Sequence, residues 1–316
     1  MTKNATVNSP VEHGKQITKG QFLWAEMKRK RMGYVMVAPF LLMFTVFTIA
    51  PVVISIILSF TYFNVLDFPS FVFLDNYARM FLDDELFLTA LKNTLIFAVA
   101  TGPASYLISF FIAWFINELS PKMRAFVTFI FYAPSISGTV YLVWQLIFQG
   151  DMYGYINGYL MKFGIITTPI VFFQDPTYIM PLMIVISLWT SLGTTFLSFI
   201  AGLQGVDRSL YEAGALDGIK NRWQELWYIT LPQMKPMLLF GAVMAITSSF
   251  GFGAIVTTLC GYPSTDYAAW TLTHHLQEYM TVRYEYGYAS AISVVLFVIM
   301  VGANLAVQKI ISKVGQ

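Results

Sequence analysis

Six runs of about twenty or more mostly apolar residues dominate the chain, near 33–62, 86–116, 125–148, 178–203, 237–259 and 286–308. A hydrocarbon core about 30 Å thick is crossed by roughly 20 residues of helix, so each run is long enough to span a bilayer. None alternates at period two over ten residues, which sets a β-barrel aside. Only 11% of the 316 residues are charged, under half the roughly 25% of a soluble domain, so a solvated surface of ordinary size cannot be built. The same scarcity of charge, the single cysteine (Cys260) and the lack of heptads exclude a disordered chain, a nucleic-acid binder, a disulfide scaffold and a coiled coil. The chain reads as an all-α integral membrane protein with six transmembrane helices.

Lys and Arg set the orientation. With the N-terminus in the cytoplasm, fifteen of the nineteen basic residues fall on that side, among them Lys28, Arg29, Lys30, Arg31, Lys122, Arg124 and Lys309. Ten of the seventeen acidic residues fall on the other side. Both termini are therefore expected inside, giving a basic cytoplasmic segment over 1–32, a six-span domain over 33–312 and a tail over 313–316. Pro39 and Pro51 in the first run predict a tilted or kinked helix, because the freed carbonyls of a membrane helix can be satisfied by neighbours.

The spans are almost free of ionisable side chains. Lys92 lies near the end of one run and Glu118 just beyond it, whereas proton- or ion-coupled carriers usually place such groups within the bilayer. A secondary transporter or facilitator is the alternative reading, since sodium can be held by the carbonyls of broken helices. Nucleotide-binding, metalloprotease and nucleophile-elbow motifs are absent. His274, His275 and Glu278 are a partial ligand set without further members, so they read as a wet helix face and not as a metal site or the centre of a membrane enzyme.

One connection is unusually long. Residues 205–236 carry eight charges (Asp207, Arg208, Glu212, Asp217, Lys220, Arg222, Glu225, Lys235) together with Trp223 and Trp227. Asp207 is a good N-cap for a short helix ending near Leu216, and Asp217-Gly218 is a turn signal. A second short helix is expected to carry Ile219, Trp223, Leu226 and Trp227 on one face and to end before Leu231-Pro232. Spacing alone supports both a helix pair lying on the membrane surface and a docking element that enters a groove on a cytoplasmic partner. Gly214 and Gly218 favour docking, because they weaken a helix and suit a close backbone approach.

The run Glu212-Ala213-Gly214-Ala215-Leu216-Asp217-Gly218, continuing to Ile229-Thr230-Leu231-Pro232, resembles the EAA loop of permease subunits from binding-protein-dependent ABC importers. That pattern reads Glu-Ala-Ala, three residues, Gly, about nine residues, Ile, one residue, Leu-Pro. Here Gly214 replaces the second Ala, and ten residues separate Gly218 from Ile229. The stretches Leu74-Asp75-Asn76-Tyr77, Ala90-Leu91-Lys92-Asn93-Thr94, Ala201-Gly202-Leu203-Gln204 and Tyr286-Gly287-Tyr288-Ala289-Ser290-Ala291 are similar to those of the sugar-permease branch, so the resemblance covers roughly 33–312. It implies a type I importer permease in a bacterial cytoplasmic membrane, paired with a second permease, two ATPase subunits and an extracellular solute-binding protein. ATP and magnesium would sit on the ATPases, with no cofactor on this chain. Glu212, Ala213, Gly214, Asp217, Gly218, Ile229, Leu231 and Pro232 would form the ATPase-coupling loop, and the solute would be a carbohydrate, with an oligosaccharide preferred. Sugar recognition pairs aromatic faces with amide and hydroxyl groups, which makes Tyr141, Trp144, Gln145, Trp189, Thr190, Thr194, Ser248 and Ser249 the candidates for the solute pathway.

Overall fold

The computed structural model describes Trp24, residues 26–138 and residues 140–312. Most of the basic segment expected over 1–32, and the whole 313–316 tail, lie outside the described residues. The chain divides into two units, Met1–Ile57 and Leu58–Gln316. Helix α1 (Arg31–Leu58) has the highest mean hydropathy of the long helices, 2.6. Where a tilt or kink is expected from Pro39 and Pro51, the helix carries a π turn over Thr45–Ile49, in which the Ala50 N–H donates to the Thr45 carbonyl. Pro51 has no N–H for the Phe47 carbonyl and its ring crowds that oxygen, so a widened turn is the relaxed solution.

The second unit begins with a two-stranded antiparallel hairpin, β1 (Thr61–Tyr62) and β2 (Ser70–Phe71), in which Thr61 pairs with Phe71. Short helix α2 (Asp75–Leu82) leads into α3 (Glu85–Asn117), capped by the Asp84 carboxylate, which accepts from the Phe87 N–H. At 33 residues α3 is about 50 Å long, more than the apolar core needs. The third apolar run is not one continuous helix. It is the pair α4 (Pro121–Ile136) and α5 (Tyr141–Ile147), bent by 86°. Pro134 and Gly138 lie at this bend, and Ser137 has extended backbone. After α6 (Tyr155–Lys162) come α7 (Pro176–Thr190) with α8 (Thr194–Gln204), and the 205–236 connection with α9 (Arg208–Leu216), α10 (Arg222–Glu225) and α11 (Leu231–Gln233). The chain ends with α12 (Lys235–Phe250), α13 (Gly253–Cys260), α14 (Leu272–Thr281) and α15 (Tyr286–Ile311). Among the described residues five helices are long and apolar enough to cross a membrane, counting α7–α8 and α12–α13 as one each, and six if the bent pair is a span.

Helix α3 is central. Phe110 packs with Phe196, Phe199, Leu238 and Ala242 from α8 and α12, and a Cβ added at Gly241 would lie 2.6 Å from the Phe199 ring. Small residues that let helix backbones approach are the usual means of association where lipid supplies no hydrophobic drive. At the other end Met80, Phe87, Trp270, Leu272 and Tyr288 join α2, α3, α14 and α15.

This second cluster corrects the wet face expected for α14. His274 and His275 are 2% and 1% exposed, because polar groups distant in sequence enclose them. Trp270 donates its indole N–H to His275 Nδ1 at 3.3 Å, and an indole can only donate. The ring proton is therefore on Nε2, which donates to Asp84 at 3.0 Å. The Tyr288 hydroxyl donates to the same carboxylate oxygen at 2.8 Å. Burial opposes charge on Asp84, yet the bonds from His275, the Phe87 N–H and Tyr288 outweigh it and hold the carboxyl below its usual range.

Candidate functional site

Three helix breaks meet at one cavity. The interruptions at 191–193 and 251–252 line a space of about 340 Å³, and Ser135 and Tyr141, on either side of the break between α4 and α5, line it as well, with further residues from α3, α7, α8, α12 and α13. Irregular backbone at membrane depth is tolerated where it lines a water-filled space, since its free N–H and C=O groups need polar partners. The side chains agree: Thr101, Ser105, Ser135, Thr190, Ser191 and Ser249 line the wall, with no charged residue among the lining. Each of these hydroxyls donates back to a carbonyl of its own helix, for example Thr101 to Phe97 at 2.8 Å and Ser191 to Leu188 at 2.7 Å. With the proton so used, the lone pairs remain to accept, and the wall suits a ligand rich in hydroxyl donors.

Of the residues singled out for the solute pathway, Tyr141, Thr190, Thr194, Ser248 and Ser249 line this cavity. Trp144, Gln145 and Trp189 do not. Trp144 packs edge-on against Trp189, ring centroids 5.4 Å apart, beside the cluster of Phe97, Ile179 and Phe252. Gln145 donates to the Thr258 carbonyl at 3.1 Å, which joins α5 to α13. Thr101 and Ser105 on α3, with Tyr132 and Ser135 on α4, were not among the expected lining residues. Their signal is the small hydroxyl residues on α3 and those just ahead of the Ser-Gly break after α4.

At the end of the bundle carrying residues 205–236, α9 runs over Arg208–Leu216, capped by Asp207 accepting from the Ser209 N–H at 3.0 Å. Gly218 follows at φ +95°, a left-handed conformation that favours glycine. The second segment differs from the expected short helix. Asn221 caps α10, and the chain passes through a π turn over Leu226–Thr230 directly into α11, so it does not end before Leu231-Pro232. The extra residue of the turn rotates the apolar face. Leu226 and Ile229 are buried, whereas Trp223 and Trp227 are more than half exposed.

The two segments lock together at Gly214. A Cβ there would lie 2.7 Å from Ile229 Cδ1 and 3.0 Å from Ile219 Cδ1. Tyr211 and Thr230 share a hydrogen bond of 2.9 Å. Arg222 binds both Glu225 and Glu118, each at 2.7 Å, and the Trp223 ring packs at a tilt against Trp114 of α3, centroids 5.2 Å apart. Glu118, Arg124, Arg208, Glu212, Arg222 and Glu225 line a cavity of about 670 Å³. Glu212, Ala213, Asp217 and Gly218 are exposed, Leu231 and Pro232 half-buried, and Leu216 is 90% exposed.

Among known proteins, the family model described as "Binding-protein-dependent transport system inner membrane component" matches residues 22–315. The chain is 34% identical to the "Probable ABC transporter permease protein YesP" of Bacillus subtilis (strain 168), over 85% of this chain and 86% of that one. It is 32% identical to the lactose transport system permease protein LacF of Rhizobium radiobacter, over 84% and 88%. It is 30% identical to the arabinooligosaccharides transport system permease protein AraP of Bacillus subtilis (strain 168), over 89% and 90%. A chain in the crystal structure of a bacterial alginate ABC transporter in complex with alginate pentasaccharide-bound periplasmic protein superposes with a TM-score of 0.73 at 25% identity, covering 93% of this chain and 99% of that one. The match over nearly the whole chain, and the helix breaks gathered about one polar cavity, agree: this chain belongs to the family of binding-protein-dependent transport system inner membrane components.

Proposed function

We propose that the chain is one of two permease subunits of an ATP-driven importer and that a neutral oligosaccharide passes through the cavity at its three helix breaks. The observation that carries the reading is the acceptor-rich, charge-free wall of that cavity. A sugar hydroxyl can donate to each exposed lone pair, and no buried charge has to be compensated. Relatives that transport lactose and arabinooligosaccharides favour the same substrate class. An acidic saccharide would call for cations that this wall does not offer.

The energy is supplied by separate ATPase subunits that bind ATP and magnesium, because the sequence carries no phosphate-binding loop. Residues 205–236 are the coupling loop, with Glu212 making a charge-assisted contact to an ATPase subunit and Leu216 seated in its cleft. The exposed face of α9 and the rigid Gly214–Ile229 contact support this. The bias of basic residues supports six spans with both termini in the cytoplasm, the bent α4–α5 pair being the third. An extracellular binding protein delivers the solute at the opposite end, and nucleotide-driven closure of the ATPases rocks the spans between inward and outward access.

Filling the cavity tests the pathway. Thr194→Trp and Ser248→Trp are expected to abolish uptake of the sugar while leaving the complex assembled and its ATPase activity stimulated by the binding protein. Uptake at the unmodified rate by both variants would overturn the assignment.

A further inference from the structure

Residues 61–74, which follow α1, expose an apolar surface that the transport reading does not use. Leu66 and Phe68 are 91% and 97% exposed, and Tyr62, Val65, Phe71 and Phe73 are each about half exposed or more. An apolar patch of this density is unusual on a surface that faces only water. The turn is also closed in an uncommon way. Val65, a β-branched residue, sits at φ +70°, and Phe73 at φ +51°. The backbone nevertheless has partners: the Asn64 side-chain oxygen accepts from the N–H groups of Leu66 at 3.1 Å and Asp67 at 3.0 Å. The Val72 N–H donates to the Phe60 carbonyl at 2.9 Å.

The base of the hairpin is fixed to the start of α15, one of the candidate membrane spans. The Gly287 N–H, in the first turn of span α15, donates to the Phe63 carbonyl at 3.1 Å, and any side chain at residue 287 would collide with the Thr61 carbonyl. Asn76 donates to the carbonyls of Ser59 and Thr61, both at 2.9 Å. Phe68 is five residues beyond Phe63, so the tip lies within roughly 17 Å of the start of α15. The headgroup layer occupies the first ~5–8 Å outside the hydrocarbon core on each side.

We propose that this hairpin is an interfacial anchor, whose tip Val65–Phe68 inserts between lipid headgroups and upper acyl chains of the leaflet on its own side. Three observations favour lipid as the occupant. The hairpin is bonded at its base, through Phe63 and Gly287, to the first turn of the candidate span α15, so its apolar surface starts where that span starts. Asn64 accepts from the N–H groups of Leu66 and Asp67 at the tip, which lowers the cost of withdrawing them from water. A soluble protein that docks and leaves would return these side chains to water in every cycle, whereas lipid is always present. The proposal rests on α1 and α15 crossing the membrane, not on which solute passes.

The test places nitroxide labels at Leu66→Cys and Phe68→Cys in a Cys260→Ser background, with the chain in its intact complex in nanodiscs of phosphatidylcholine and phosphatidylglycerol. Both labels are expected to collide several-fold more often with oxygen than with a water-soluble nickel chelate, with or without added binding protein. Free access of the nickel chelate at both positions overturns the proposal. So does shielding from both reagents, which marks a permanent protein partner, or shielding that appears only when the binding protein is added. If the labelled chains do not assemble, Phe68→Trp with brominated lipids gives the same reading from the emission added over the parent, whose seven tryptophans set the baseline: quenching of the added emission supports insertion and its absence contradicts it. Binding-protein-stimulated ATPase activity of the same nanodisc samples, with sugar uptake in cells expressing the same variants, reports the transport reading separately.

Discussion

Gly214 stands where the family pattern has alanine, and the geometry explains the exchange. The Ile229 methyl occupies the space a Cβ would take, at 2.7 Å, with Ile219 at 3.0 Å beside it. A larger residue has to push the ends of buried Ile229 and half-buried Ile219 aside, the kind of overpacking that costs about 1–3 kcal/mol. Gly214→Leu is therefore expected to loosen the joint between α9 and the π turn and to reduce ATPase association, measured by co-purification. Pairing it with Ile229→Ala, which vacates the space, is expected to restore much of the loss. A single variant that co-purifies as well as the parent would remove the importance assigned to this contact. Some residue roles were readable from spacing: Asp207 as a cap, Gly218 as a turn, and Thr190, Thr194, Ser248 and Ser249 near the breaks. His274 and His275 were not, because the groups that bury them (Asp84, Trp270, Gly253) are brought together only by the fold. Trp144 and Gln145 stand outside the cavity lining: an amide in an apolar run, as Gln145 shows with the Thr258 carbonyl, marks a packing contact as readily as a ligand site.

At the scale of elements, proline accounts for irregularities that hydropathy cannot show. Both π turns, Thr45–Ile49 and Leu226–Thr230, end two residues ahead of a proline, Pro51 and Pro232. In each case the missing donor and the crowded carbonyl four residues earlier are relieved by one extra residue in the turn. In the second case that residue matches the ten-residue spacing between Gly218 and Ile229. Apolar runs located the spans to within a few residues, whereas the breaks inside them depend on local backbone chemistry at Ser137-Gly138, Leu192-Gly193 and Gly251. The histidine helix α14 carries its own prediction. His274 accepts at Nδ1 from the Thr271 N–H at 3.3 Å and meets the Gly253 carbonyl through Nε2 at 3.0 Å. Burial pushes its pKa down to about 4 from 6.5, the Gly253 bond only partly opposing. The unfolded chain thus binds more protons than the fold between those values. This contribution is present in full above about pH 6.5 and is lost as the pH falls toward 4. Lowering the pH from 7 to 5 is expected to cost on the order of 2 kcal/mol through this residue. Thermal unfolding in detergent should show a smaller acid shift in His274→Asn than in the parent, and an equal shift would refute the assignment.

Over the whole molecule the sorting of charge matters more than its scarcity. The charges of residues 205–236 gather where Arg222 ties the connection to Glu118 at the end of α3, and the central cavity has none in its lining. On the proposed reading, such a chain is moved from one end while a neutral solute crosses its middle. Exposed ion pairs such as Arg222–Glu118 add little stability, so the link to α3 relies equally on the packing of Trp223 against Trp114. Membrane class and polar connection were legible in the order of apolar and charged residues. The gathering of three breaks around one cavity was not, since it depends on contacts between helices far apart in sequence. The most direct test of the whole reading is co-purification of the ATPase subunits with chains carrying Glu212→Lys, alongside uptake in the same cells. The expected result is a chain that inserts at the parental level, retains the second permease, loses the ATPase subunits and takes up no sugar. Normal ATPase recovery together with normal uptake would contradict the proposal that residues 205–236 couple this chain to its source of energy.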